Sequence, residues 1–144
     1  MNNQDNVLTI KNLKEYKVEI KSGNHLLVSD ESIEAGGSDA GLNPYELLLA
    51  SLGSCKAITM RMYATRKNFP LNEITIKLKI DKIHAKDCEE CETKEGKIDK
   101  IEVEINLSGD LNDEQRKRLL EISGKCPVHK TLTSEMKIYT SIVK

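Results

Sequence analysis

The chain has no tryptophan, one phenylalanine and only 3% aromatic residues, which leaves no platform on which single-stranded nucleic acid could stack. It lacks an excess of either charge. Lys and Arg number 22 against 23 Asp and Glu, a formal charge of -1, so no global field draws nucleic acid or an anionic membrane. No apolar run reaches the roughly 18 residues that span a bilayer. The first residues, MNNQDNVLTI, lack a basic stretch followed by an apolar one, so no secretory leader is expected and the location is read as cytoplasmic. Four cysteines, Cys55, Cys88, Cys91 and Cys126, are too few for a secreted scaffold of this size. In a reducing compartment they read as redox, metal or buried thiols.

What is present suits one domain spanning residues 1–144. A chain of 144 residues with 38% hydrophobic content is long enough to bury a core. EYKVEIKSGNHLLVSD (15–30) reads as a hairpin turning at Ser22-Gly23-Asn24. Asn43-Pro44 with Glu46 three residues after Asn43 is a helix start, with Asn as N-cap, Pro at the first position and Glu closing a capping box. Nothing but Gly53 interrupts the helix before Pro70, giving about 25 residues or roughly 37 Å. Leu48, Leu52, Cys55, Thr59 and Met62 form a stripe, widened by Leu47, Leu49 and Ile58, and the helix is expected to be central and largely buried. Ala50, Ser51, Gly53, Ser54 and Ala57 are small enough to let another backbone approach.

Residues 73–83 and 98–109 alternate apolar and polar, as half-buried strands do, and the acidic stretch 84–97 reads as the exposed loop between them. Asn112 or Asp110 caps a helix that ends at Gly124, Pro127 opens a short one, and MKIYTSIV (136–143) is expected to close the fold as a strand. The class is α+β.

Pro127 at the first helical position makes Cys126 an N-cap, where free N–H groups favour an anion. His129, in the first turn, can bond the sulfur or, when protonated, favour its thiolate. Cys126 is thus either a low-pKa thiol or a small buried hydrophobe. Cys55, mid-helix on the apolar stripe, has the opposite local signature, because burial raises a thiol pKa. The two matter jointly if the fold brings them within disulfide range.

GLNPYELLLASLGSCKA (41–57) and KCPVHKTL (125–132) resemble the two cysteine segments of the OsmC/Ohr family, named for osmotically induced protein C and organic hydroperoxide resistance protein. The resemblance covers the chain from about residue 15 and marks it as a divergent OsmC-like member. It implies an antiparallel sheet with a long central helix in an intertwined homodimer, and a thiol peroxidase that needs no cofactor. Cys55 would attack an organic or hydrogen peroxide to give a sulfenic acid, Cys126 would resolve it as a disulfide, and a cellular dithiol would reduce that disulfide, in defence against oxidative stress. The resemblance therefore makes Cys55 the attacker, whereas local electrostatics nominate Cys126.

Family peroxidases use an arginine from the N-terminal region and a glutamate directly after Asn-Pro. Here no arginine precedes Arg61, and Tyr45 follows Pro44. Tyr45, Glu46 and His129 are the candidate activating or orienting groups, with Lys17 or Arg61 as substitute cations. Glu46 is better placed as a capping-box residue.

His84, Cys88 and Cys91 form H-x-x-x-C-x-x-C, a half-site that could hold zinc with a fourth ligand. The other reading is a dithiol or labile disulfide, with Asp87, Glu89, Glu90 and Glu92 disfavouring a thiolate. The alternative to a peroxidase is accordingly a zinc- or small-ligand-binding protein on the same fold.

Overall fold

A computed structural model describes residues 7–143. They fall into two compact units, the first ending at Leu48 and the second beginning at Leu49.

In the first unit β1 (Thr9–Lys14), β2 (Lys17–Ser22) and β3 (His25–Ser29) form an antiparallel meander in sequence order. Ser22 pairs with His25 across a two-residue turn, and Gly23 takes the left-handed φ of 57° that this turn demands. The expected hairpin is present. The strand β1 was not legible beforehand, because all six of its residues are exposed and no burial pattern marks it. After β3 the chain folds around the Asp30 carboxylate, which accepts from the backbone N–H groups of Glu31, Ser38 and Ala40. Burial pushes the Asp30 carboxyl up, but these donors and the charge of Lys17 outweigh it and hold it below its ordinary range.

Asn43 then starts α1 (Pro44–Arg66) with the reciprocal capping box: its side chain accepts from Glu46 N–H, and the Glu46 carboxylate accepts from Asn43 N–H.

In the second unit α1 buries Leu52, Gly53, Lys56, Met60 and Ala64, a stripe with spacing close to four. The expectation of a largely buried helix needs correcting. Ile58 and Met62 point outward and are exposed, and a lysine occupies the buried stripe. Gly53 is small for a reason of contact: a Cβ there would sit 2.8 Å from Leu78 Cδ1 of β4.

The strands β4 (Leu71–His84) and β5 (Lys97–Gly109) pair antiparallel along their whole length, with Ile74 opposite Leu107, Ile76 opposite Ile105 and Leu78 opposite Val103. Those half-buried side chains stand on one face because successive residues alternate. Met60, Ala64, Leu71, Leu111, Leu119 and Ile122 form the buried cluster, with Tyr63, Phe69, Ile74, Ile76, Ile105 and Leu107 packed against it. The Arg61 guanidinium donates to the carbonyls of Leu71 and Asn72, tying α1 to the start of β4.

Asn112 caps α2 (Asp113–Ser123) in a second capping box with Gln115. Gly124 ends that helix without needing a left-handed conformation, at φ −74°. Cys126 is the N-cap of α3 (Pro127–Thr133), as the Cys-Pro order dictates. Residues 136–143 form no strand, contrary to expectation, and Ile138, Tyr139, Ile142 and Val143 are exposed. Their alternation fits a strand, yet no edge among the described residues pairs with them. The α+β class and the antiparallel strands beside a long helix are as expected.

Candidate functional site

Two free thiols meet in the second unit. Cys55 is half-buried on α1, and Cys126 is fully buried at the start of α3. Helix α1 presents Cys55 one residue before the buried Lys56, and the capping geometry of α3 brings Cys126 to it. The Cys126 S–H donates to the Cys55 sulfur, which also accepts from the Val128 backbone N–H and the Thr59 hydroxyl. The Cys126 sulfur in turn accepts from the His129 backbone N–H at 3.3 Å.

The environment separates the two thiols in acidity. Burial pushes Cys55 up, but the bonds from Cys126, Val128 and Thr59, with the Lys56 charge, outweigh it and leave its pKa below the ordinary thiol value. For Cys126 burial also raises the pKa, and the Cys55 sulfur beside it adds to the rise, more than the N–H groups of His129 and Val128 take away. The local argument that made Cys126 the better thiolate is therefore reversed. An N-cap favours an anion, but here the anion that collects the donors is the neighbouring Cys55.

Lys56 is 4% exposed, and its ammonium donates to the Ser123 carbonyl at 2.9 Å and lies 3.0 Å from His129 Nδ1. Burial, and then the Lys56 charge, lower the His129 pKa. An imidazolium beside Cys126 is thus disfavoured, and it is the backbone of His129, not its ring, that bonds the Cys126 sulfur.

The other expected residues have these settings. Tyr45 is exposed at the first turn of α1, Glu46 closes the capping box, Arg61 is engaged by two carbonyls, and Lys17 lies on β2 with its charge felt by Asp30. At the end of the β4–β5 hairpin, Cys88 and Cys91 are joined in a disulfide with Cα atoms 5.5 Å apart. This is the disulfide reading of the Cys-x-x-Cys segment. The proposed zinc ligands His84, Cys88 and Cys91 are not assembled as such, and no group of three or more His, Cys, Asp or Glu side chains among the described residues could hold a metal ion.

Lys56, Thr59, Val128 and Ser123 were missed from the sequence. Only Lys56 carried a signal: a lysine four residues after Leu52 and four before Met60 lies on an apolar stripe, where an unpaired cation is rare.

The family and the fold have known relatives. A family model described as OsmC-like protein matches residues 36–141. No curated protein matches the chain. Among solved structures, one from Psychrobacter arcticus, whose name ties it to osmotic stress induction and a detoxification response, is 16% identical with a TM-score of 0.71, covering 91% of each chain. An OsmC-like protein from Mycoplasma pneumoniae is 17% identical with a TM-score of 0.68, over 92% of this chain and 89% of its own. The organic hydroperoxide resistance protein OhrB of Bacillus subtilis is 18% identical with a TM-score of 0.58, over 88% of this chain and 90% of its own. At such identities the structural likeness speaks for the fold, and the family model for the lineage: the chain belongs to the OsmC-like protein family.

Proposed function

We propose that the chain is a cysteine-dependent peroxidase that reduces organic or hydrogen peroxides with Cys55 and Cys126. One observation carries this reading: two free thiols share a hydrogen bond, and their surroundings push one pKa down and the other up. A nucleophile and a neutral partner at its elbow are what a two-thiol peroxide reduction requires.

The Cys55 thiolate attacks the distal oxygen of the hydroperoxide. The O–O bond breaks, an S–O bond forms, sulfur gives up two electrons, and the leaving alkoxide takes a proton from solvent to become the alcohol. Cys55 is then a sulfenic acid. The Cys126 sulfur attacks the oxidised sulfur, an S–S bond forms, and the sulfenic oxygen leaves as water with the Cys126 proton. A cellular dithiol reduces the disulfide by exchange. No metal or cofactor enters these steps.

A homodimer is part of the same proposal. The outward residues Ile58 and Met62 of α1 and the apolar side chains of 136–143 are what a second copy would cover. Sedimentation equilibrium tests it, and a monomer at micromolar concentration would remove it.

The decisive experiment is a free-thiol count with non-reducing peptide mass analysis, before and after one equivalent of an organic hydroperoxide. Loss of two thiols with a Cys55–Cys126 linked peptide is expected, and Cys55→Ser should abolish peroxide consumption. Undiminished turnover in that variant would end the assignment.

A further inference from the structure

Lys56 occupies a position that ordinarily excludes lysine, on the buried stripe of α1. Among the described residues its ammonium meets a carbonyl and an imidazole, not a carboxylate. Burying an ammonium is costly unless every donor direction is used well. Its two partners lie 67 and 73 residues away, at the end of α2 and in α3, so the side chain reaches from the helix that carries Cys55 to the segment that carries Cys126.

An ammonium only donates, so the 3.0 Å contact requires His129 Nδ1 to be the acceptor and places the ring proton on Nε2. His129 is also the residue whose backbone N–H holds the Cys126 sulfur. One side chain therefore fixes the residue that in turn fixes the second thiol.

We propose that Lys56 is a positioning residue: it staples the Cys126 turn to the Cys55 helix through His129 Nδ1 and the Ser123 carbonyl, and protonation of His129 opens the staple. A protonated Nδ1 would present N–H to an ammonium, replacing a bond with a like-charge contact. Lys56 from α1 faces the imidazole, the Cys126 thiol stands at its backbone, Cys55 lies beyond that thiol, and α2 contributes the Ser123 carbonyl. The lowered pKa of His129 accords with this arrangement.

The inference rests on Cys55 and Cys126 acting as a pair, but its test needs no peroxide. The reduced full chain is equilibrated with mixtures of reduced and oxidised glutathione, quenched with acid, alkylated and mapped by peptide mass. The fraction of Cys55–Cys126 disulfide gives the effective concentration of one thiol at the other, and Cys88–Cys91 serves as internal control. Lys56→Met should lower the Cys55–Cys126 value about tenfold or more, the scale set by small misplacements of reacting groups, and leave Cys88–Cys91 unchanged. His129→Gln keeps an acceptor for Lys56 and cannot titrate. It should retain the wild-type value at pH 7.5 and lose the additional fall that the wild type shows between pH 7 and pH 5.

Equal values for Lys56→Met and the wild type would overturn the proposal. If Lys56→Met does not fold, the comparison of wild type with His129→Gln decides, and superimposable pH profiles would overturn it. A wild type that pairs its thiols in glutathione, depends on Lys56 and yet consumes no peroxide would refute the peroxidase reading and leave the staple standing.

Discussion

Replacing Cys126 by alanine tests the electrostatic core of the site, because it removes the first of the donors that stabilise the Cys55 thiolate. A hydrogen bond to a charged group contributes about 1.5–3 kcal/mol, and a thiol is a weak donor, so about 1 kcal/mol is the reasonable loss. At 1.36 kcal/mol per factor of ten, that is about a fivefold drop in the thiolate fraction when the thiol is mostly protonated. The Val128 N–H, the Thr59 hydroxyl and Lys56 remain, so the effect should be partial. The assay is iodoacetamide alkylation of reduced protein across pH, resolved by peptide mass so that Cys55 is read alone. Wild-type Cys55 should alkylate faster than Cys126 at neutral pH. Cys126→Ala should slow Cys55 about fivefold there and move its profile to higher pH, and Cys126→Ser, which restores an O–H donor, should recover most of the rate. A Cys126→Ala profile lying on the wild-type curve would show that this hydrogen bond does not hold the thiolate. Faster alkylation of wild-type Cys126 than of Cys55 would reverse the roles of the two thiols.

Two further predictions concern stability. Leu119 is fully buried in the cluster beneath α1, and Leu119→Ala should cost about 3 kcal/mol in urea unfolding; a loss under about 1 kcal/mol would mean that the cluster is not close-packed there. Both Asp30 and His129 have folded-state pKa values below their ordinary ones, so each adds stability that is present above its unfolded pKa and lost as pH falls through the folded one. Urea midpoints should therefore fall in two steps, one below about pH 6.5 for His129 and one below about pH 4 for Asp30. His129→Gln should flatten the first and Asp30→Asn the second, and an unchanged slope in either variant would remove that residue from the account.

Local signals carried much of the fold. Asn43-Pro44-x-Glu46, Asn112 with Gln115 and Cys126-Pro127 each fix a helix start through a few bonds within one turn, so they can be read from adjacent residues. The alternation of β4 and β5 is equally local. The site itself is otherwise. Whether Cys55 or Cys126 holds the thiolate depends on Val128 and Thr59 donors and on a cation whose partners come from the far end of the chain. An N-cap position predicts where N–H groups point, not which of two sulfurs receives them. Ile58 and Met62 show the other limit, because an apolar residue on a helix announces burial without saying by what. The segment 136–143 has the pattern of a strand, but a strand needs an edge to pair with, and pattern alone does not supply one.

The contacts of Lys56 have a consequence for the order in which this molecule comes to life. The β4–β5 hairpin closes between neighbours in sequence and can zip early, whereas the ammonium reaches its carbonyl and imidazole only after chain segments 67 and 73 residues apart have met. Until then Cys55 is an ordinary, protonated thiol on a solvated helix. The chain thus emerges chemically quiet, and the lowered pKa of one sulfur serves as a built-in report that the last long-range contacts have closed.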